Sequence, residues 1–86
     1  MERLTIKLTQ LEKTLEESPS RWVGRTLTGG FLYARYRFGG FEAGFGLSRD
    51  DAIGNIVFRG IVKGDGGYSK MSTAQMLELI CAEVIK

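Results

Sequence analysis

Gly39-Gly40, flanked on both sides by alternating apolar residues, constrains this chain more than any other feature. A two-residue glycine link between period-two runs reads as a β-hairpin. The hairpin pairs Phe38 with Phe41, Tyr36 with Ala43, Ala34 with Phe45 and Leu32 with Leu47, which puts all of them on one face, the core. The opposite face then carries Tyr33, Arg35 and Arg37 over Glu42, Gly44 and Gly46, with Arg37 directly across from Glu42. A two-residue Gly29-Gly30 turn upstream would bury Arg25, and an unpaired buried arginine costs far more than a buried threonine. A three-residue Thr28-Gly29-Gly30 turn avoids this. It places Trp22, Gly24 and Thr26 on the core face and Arg25 beside Tyr33 on the open one. Residues 21–47 are therefore expected to form a three-stranded antiparallel sheet.

Helices are expected on both sides of it. Leu4, Leu8, Leu11 and Leu15 follow one another at steps of four, three and four, the seam of a helix over 2–17 that Pro19 ends. A competing reading takes the alternation of Leu4, Ile6 and Leu8 as a strand over 2–8, with a Thr9–Glu12 capping box opening a short helix after it. Ser48, with Asp51 three residues on, is an N-cap, and Ala52, Ile53, Ile56 and Val57 recur at helical spacing. This predicts a helix over 49–59 in which Gly54 costs about 1 kcal/mol. The β-rich run 55–63 is its competitor as a strand. Residues 64–70 (GDGGYSK) read as a mobile loop, and Ser72 or Thr73 caps a last helix over 72–85. That helix buries Ala74, Leu77, Ile80, Cys81 and Val84 and turns Leu79 away. The expected fold is α+β and one domain over 1–86, since 86 residues fall well short of a second unit.

The stretch GGFEAGFGLSRDDAIGNI resembles the third strand and second helix of double-stranded-RNA-binding domains, and the α-β-β-β-α order is similar to theirs. That family grips RNA with lysines at the start of this helix; Arg49, Asp50 and Asp51 stand at those positions here. The same strand-to-helix signature also resembles HicB-type antitoxin domains, a likeness that implies protein partners.

Composition narrows the function. The chain has no histidine and one cysteine, so the commonest general base, the commonest metal ligand and an intrachain disulfide are all missing. No nucleophile–base pair or metal-ligand spacing can be assembled, and the sequence predicts neither catalysis, nor a metal, nor a cofactor. No run is long enough for a membrane span and MERLTIKL lacks a signal-peptide core, so a cytoplasmic protein is expected. The net charge of +2 is unevenly placed: residues 21–49 hold five arginines against Glu42 alone, together with seven of the nine aromatics. Arginine and tyrosine are enriched in interface hot spots. Arg25, Tyr33, Arg35 and Arg37 are the predicted binding residues, with Gly44 and Gly46 as a shallow floor. The expected partner is another protein, as for a regulatory, accessory or inhibitor protein. The alternative is nucleic acid held through the same arginines. Arg59 is assigned to the following helix, away from that face. Off-stripe Ile6 and Leu79 suggest a homodimer. The GDGGYSK loop reads as a flexible connector rather than an anion nest, Asp50-Asp51 as a helix-dipole complement, and Cys81 as a buried structural thiol.

Overall fold

In the computed structural model, which describes residues 6–15, 20–68 and 70–85, the expected sheet is the middle of a larger one. The strands β1 (Ile6–Leu15), β2 (Ser20–Thr26), β3 (Phe31–Arg37) and β4 (Gly40–Gly46) are followed by helix α1 (Arg49–Gly54) and β5 (Ile56–Ile61). Helix α2 (Thr73–Leu79) and β6 (Ala82–Val84) complete the described elements. The strand order is β5-β4-β3-β2-β1-β6, antiparallel except for the parallel β1–β6 pair. The sheet curls into a half-barrel. The three-stranded sheet with three helices is thus corrected to a six-stranded mixed sheet with two short helices among the described residues, and the α-β-β-β-α layout falls with it.

Each misread segment has a physical cause. Residues 6–15 are strand, not helix, paired with β2 on one side and β6 on the other, and β1 contains two register irregularities, one between Leu8 and Gln10 and one between Lys13 and Leu15. An extra residue at a bulge restarts the alternation. Leu8 opposite Thr26 and Leu11 opposite Gly24 therefore both reach the core side, three residues apart, and imitate a helical stripe. Leu4 and Pro19 lie outside the described residues. The helix over 49–59 stops at Gly54. Asn55 caps it, donating from Nδ2 to the Phe45 carbonyl at 2.9 Å, and the β-branched run beyond joins β4. The helix over 72–85 stops at Leu79. Cys81 then takes a left-handed φ of 54° and turns the chain alongside β1. Cys81 is half-buried there, in a left-handed turn and not in a helical stripe. Both N-caps form as expected: Ser48 Oγ accepts from Asp51 N at 3.1 Å and Ser72 Oγ from Gln75 N at 3.1 Å.

Both hairpins keep the expected faces but shift their pairing by two residues. Tyr36 faces Phe41, Ala34 faces Ala43 and Leu32 faces Phe45. A shift of two leaves every side chain on its face, whereas a shift of one would invert them all. The β3–β4 link is Phe38-Gly39, with φ of 50° and 81°, the two left-handed residues of a type I′ turn. Contacts remote in sequence hold it there: Gly39 N donates to Tyr68 O at 2.9 Å and Gly39 O accepts from Val62 N at 2.8 Å. Phe38 and Leu47, assigned to the core, are exposed as a result. The β2–β3 link is Leu27-Thr28-Gly29, closed by Thr26 N donating to Gly30 O at 3.0 Å, so Arg25 faces Phe31.

The core lies between one face of the sheet and α2. Leu8, Trp22, Leu32, Ala34, Tyr36, Phe41 and Ala43 meet Met71, Met76 and Ile80 there. Burying each large side chain contributes roughly 1.5–3 kcal/mol. Polar groups inside are matched: Trp22 Nε1 donates to Thr73 Oγ1 at 3.0 Å, and buried Ser20 Oγ accepts from Met71 N at 3.2 Å. The Tyr36 hydroxyl lies 2.8 Å from Val62 O and 3.0 Å from Gly67 O and accepts from Gly64 N at 2.8 Å. It ties the Gly-rich segment to the core. Ile6 and Leu79 pack against this core, which removes the observation behind the homodimer expectation.

Helix α1 sits on the other face. Ala52 is fully buried, and a Cβ at Gly44 or Gly46 would collide with the α1 backbone. The close neighbour for which these glycines leave room is the chain's own helix.

Candidate arginine-lined interface

The uncovered part of that face is a row of charge running across four strands. Arg21 on β2 is in register with Arg35 on β3, Arg35 with Glu42 on β4, and Glu42 with Arg59 on β5. The Glu42 carboxylate lies 3.4 Å from Arg35 Nη2 and 3.4 Å from Arg59 Nε. Two guanidinium groups thus share one carboxylate along the row, and at its β2 end the Arg21 Nε is buried with no hydrogen-bond partner among the described residues. One row further on, Arg37, Gly40 and Ile61 are in register. Between the rows a groove of about 570 Å³ is lined by Arg35, Arg37, Phe38, Glu42, Arg59 and Ile61.

The apolar members are open to solvent: Phe38 is 75% exposed and Ile61 87%. Phe38 holds a left-handed φ that L-residues other than Asn and Asp avoid, at a cost of roughly 1–2 kcal/mol. The Arg37 guanidinium lies 4.8 Å from its ring centroid. A strained, exposed aromatic at the lip of a cationic groove has no account in the packing of the fold.

The four residues singled out from sequence are divided by the structure. Arg35 and Arg37 meet in the groove. Tyr33 is only 8% exposed, and Gly44 opposite it lies under α1. Arg25 stands at the far end of β2, 4.2 Å over the Phe31 ring, and donates to Gly29 O at 3.4 Å. Glu42 pairs with Arg35 rather than Arg37. Sequence reasoning missed Phe38, Arg59 and Ile61 as site residues. The β-rich run 55–63, taken as a strand, was the signal that would have found the last two.

The remaining candidates are engaged in structure. In the GDGGYSK segment, Gly64 N donates to Tyr36 Oη, Asp65 N to Gln75 Oε1 and Gly67 N to Gly64 O, so these amides do not form an open nest. Asp65 Oδ1 accepts from Ser72 N at 2.8 Å, and hydrogen bonding to Ser72 holds its carboxyl below the usual value. Asp50 and Asp51 occupy the first turn of α1. Among the described residues no group of three or more acidic or cysteine side chains could hold a metal ion, and no helix is long and apolar enough to cross a membrane. No protein-family model, curated protein or solved structure matches the chain.

Proposed function

We propose that this chain is a non-catalytic binding protein that docks another protein through the groove between Arg35, Arg37, Phe38, Arg59 and Ile61. The observation that carries the reading is Phe38. It spends conformational energy to hold an aromatic ring in water at a hairpin tip, beside exposed Ile61 and inside a ring of arginines. An apolar centre with a cationic rim is the composition of a protein-binding hot spot, and the excess positive charge suits a partner that brings carboxylates. The same arginines could meet phosphates, but Glu42 sits between two of them, where a nucleic-acid backbone would have to pass.

The test compares variants on a partner captured from the source cell with nuclease present. Arg35→Ala should weaken the complex about 30-fold, some 2 kcal/mol. Arg49→Ala, which removes an exposed arginine outside the groove, should not. Equal losses for the two variants, or a complex that nuclease abolishes, overturn the reading.

A further inference from the structure

We infer that the partner docks by adding an extended strand of alternating acidic and apolar residues to the free edge of β5. This rests on the protein-docking reading above and specifies its mode. β5 ends the strand order and is six residues long. Val62 N donates to Gly39 O at 2.8 Å, in the same register as the Phe41–Gly60 and Ala43–Phe58 pairs. Antiparallel ladders alternate between bonded and non-bonded pairs. The inward groups are therefore those of Phe58, Gly60 and Val62, and the N–H and C=O of Arg59 and Ile61 point outward, away from β4. Protein edges are normally blunted by short length, lysine, proline or cover. Here a register irregularity leaves Val57 unpaired at the start of β5, but from Phe58 to Ile61 the edge is regular, Ile61 is 87% exposed, and neither lysine nor proline occurs in IVFRGI. The opposite edge differs: β6 has three residues and carries an exposed Lys7–Glu83 ion pair at 3.2 Å.

Charge decides the occupant. A second copy pairing antiparallel about Arg59 would set that guanidinium against its own twin, and like charges directly opposite are destabilising. Pairing about Phe58 or Gly60 leaves the two arginines diagonal, with Arg35 and Arg37 of each groove adding to the repulsion. An acidic side chain on the partner strand answers Arg59 instead. The alternate positions of that strand face Phe58 and Gly60. At Gly60 no atom of the described residues lies within 4 Å of the place a Cβ would take, which leaves room for an apolar side chain. Tyr68 and Ile61 flank the Phe38-Gly39 turn and extend the same apolar lip.

The probe is a capped octapeptide of alternating glutamate and valine, titrated into the full chain and followed by backbone amide shifts. Saturable shifts are expected at Arg59 and Ile61, with no response to the lysine–valine counterpart. Ile61→Pro, which removes the outward N–H together with the Ile61 side chain, should weaken the peptide at least about tenfold more than Ile61→Ala, which removes the side chain alone. Arg59→Glu should exchange the preference to the lysine peptide, a readout that survives if the proline variant is poorly folded. The inference is overturned by any of four results: no saturable shift at about 1 mM, equal binding of both peptides, displacement of the peptide by an oligothymidylate, or concentration-dependent self-association through this edge. If the captured partner loses affinity with Arg35→Ala but not with Ile61→Pro, strand addition fails while groove docking stands.

Discussion

Phe38→Asn should make the protein more stable and a worse binder. Residue 38 is the first of two left-handed residues in a type I′ turn, where asparagine is preferred. Relieving the backbone recovers about 1–2 kcal/mol. Against this stands the Arg37 guanidinium 4.8 Å from the ring, worth about 0.5 kcal/mol at an exposed site. With the ring 75% exposed, lost burial is a further roughly 0.5 kcal/mol. The net gain is about 0.5 kcal/mol, a rise in Tm of some 2–4 °C for a domain of this size. In an Arg37→Ala background the cation–π loss vanishes and the gain should grow to about 1 kcal/mol. Urea unfolding with an unchanged m-value measures both. Removing the aromatic anchor should meanwhile weaken the partner complex by about 2 kcal/mol, or some 30-fold. A stability loss of about 1 kcal/mol or more would mean that the ring is packed and the strain argument is wrong. Unchanged affinity would remove the reason given for tolerating the strain.

Gly44→Ala should cost about 3 kcal/mol, because the new methyl meets the backbone carbonyls of Ala52 and Asn55 and no flexible side chain can yield; Gly54→Ala, with open space around it, should be neutral or stabilising by up to about 1 kcal/mol. Tyr36→Phe leaves the buried Gly64 N–H without its acceptor and should cost about 1–3 kcal/mol, with faster hydrogen exchange at Gly64 the specific sign. Asp65 has a folded pKa below its ordinary 3.8, so the stability it contributes is complete above that value and lost as pH falls through the folded one. Asp65→Asn should flatten that part of the acid-unfolding curve and leave the neutral-to-alkaline limb unchanged in shape.

The middle of the sheet was legible because its signals are local. Alternation in Leu32–Tyr36 and Phe41–Phe45 sets faces without reference to anything else, and the observed two-residue shift preserves them. Register was not legible, because it is held by Val62 and Tyr68, more than twenty residues beyond the turn. The outer strands failed for a related reason. A bulged strand such as β1 repeats its apolar residues at three, the number a helix uses, and only the pairing with β2 separates the two. Residues 82–84 read as the end of a helix because nothing nearby announces the left-handed Cys81, and the parallel partner of β6 lies at the far end of the chain. In the site, Arg35 and Arg37 could be placed by alternation alone. Tyr33 could not, because its burial depends on where α1 lands.

The break after Gly54 links these outcomes. Six residues of helix at 1.5 Å per residue span about 9 Å, enough to cover Gly44 and Gly46 but not the row that holds Arg35 and Glu42. A helix continued to residue 59 would have carried Arg59 away on its own surface and left β4 as the sheet edge. Instead Asn55 anchors the reversal to the Phe45 carbonyl, and the chain returns as β5 beside β4. That one reversal brings Arg59 to Glu42, sets Ile61 beside the strained Phe38-Gly39 turn, and makes β5 the exposed edge. The groove and the free edge are therefore products of the same local event. A change that carries the helix on through residue 55 should weaken both together, whereas a change confined to Arg35 should touch only the groove.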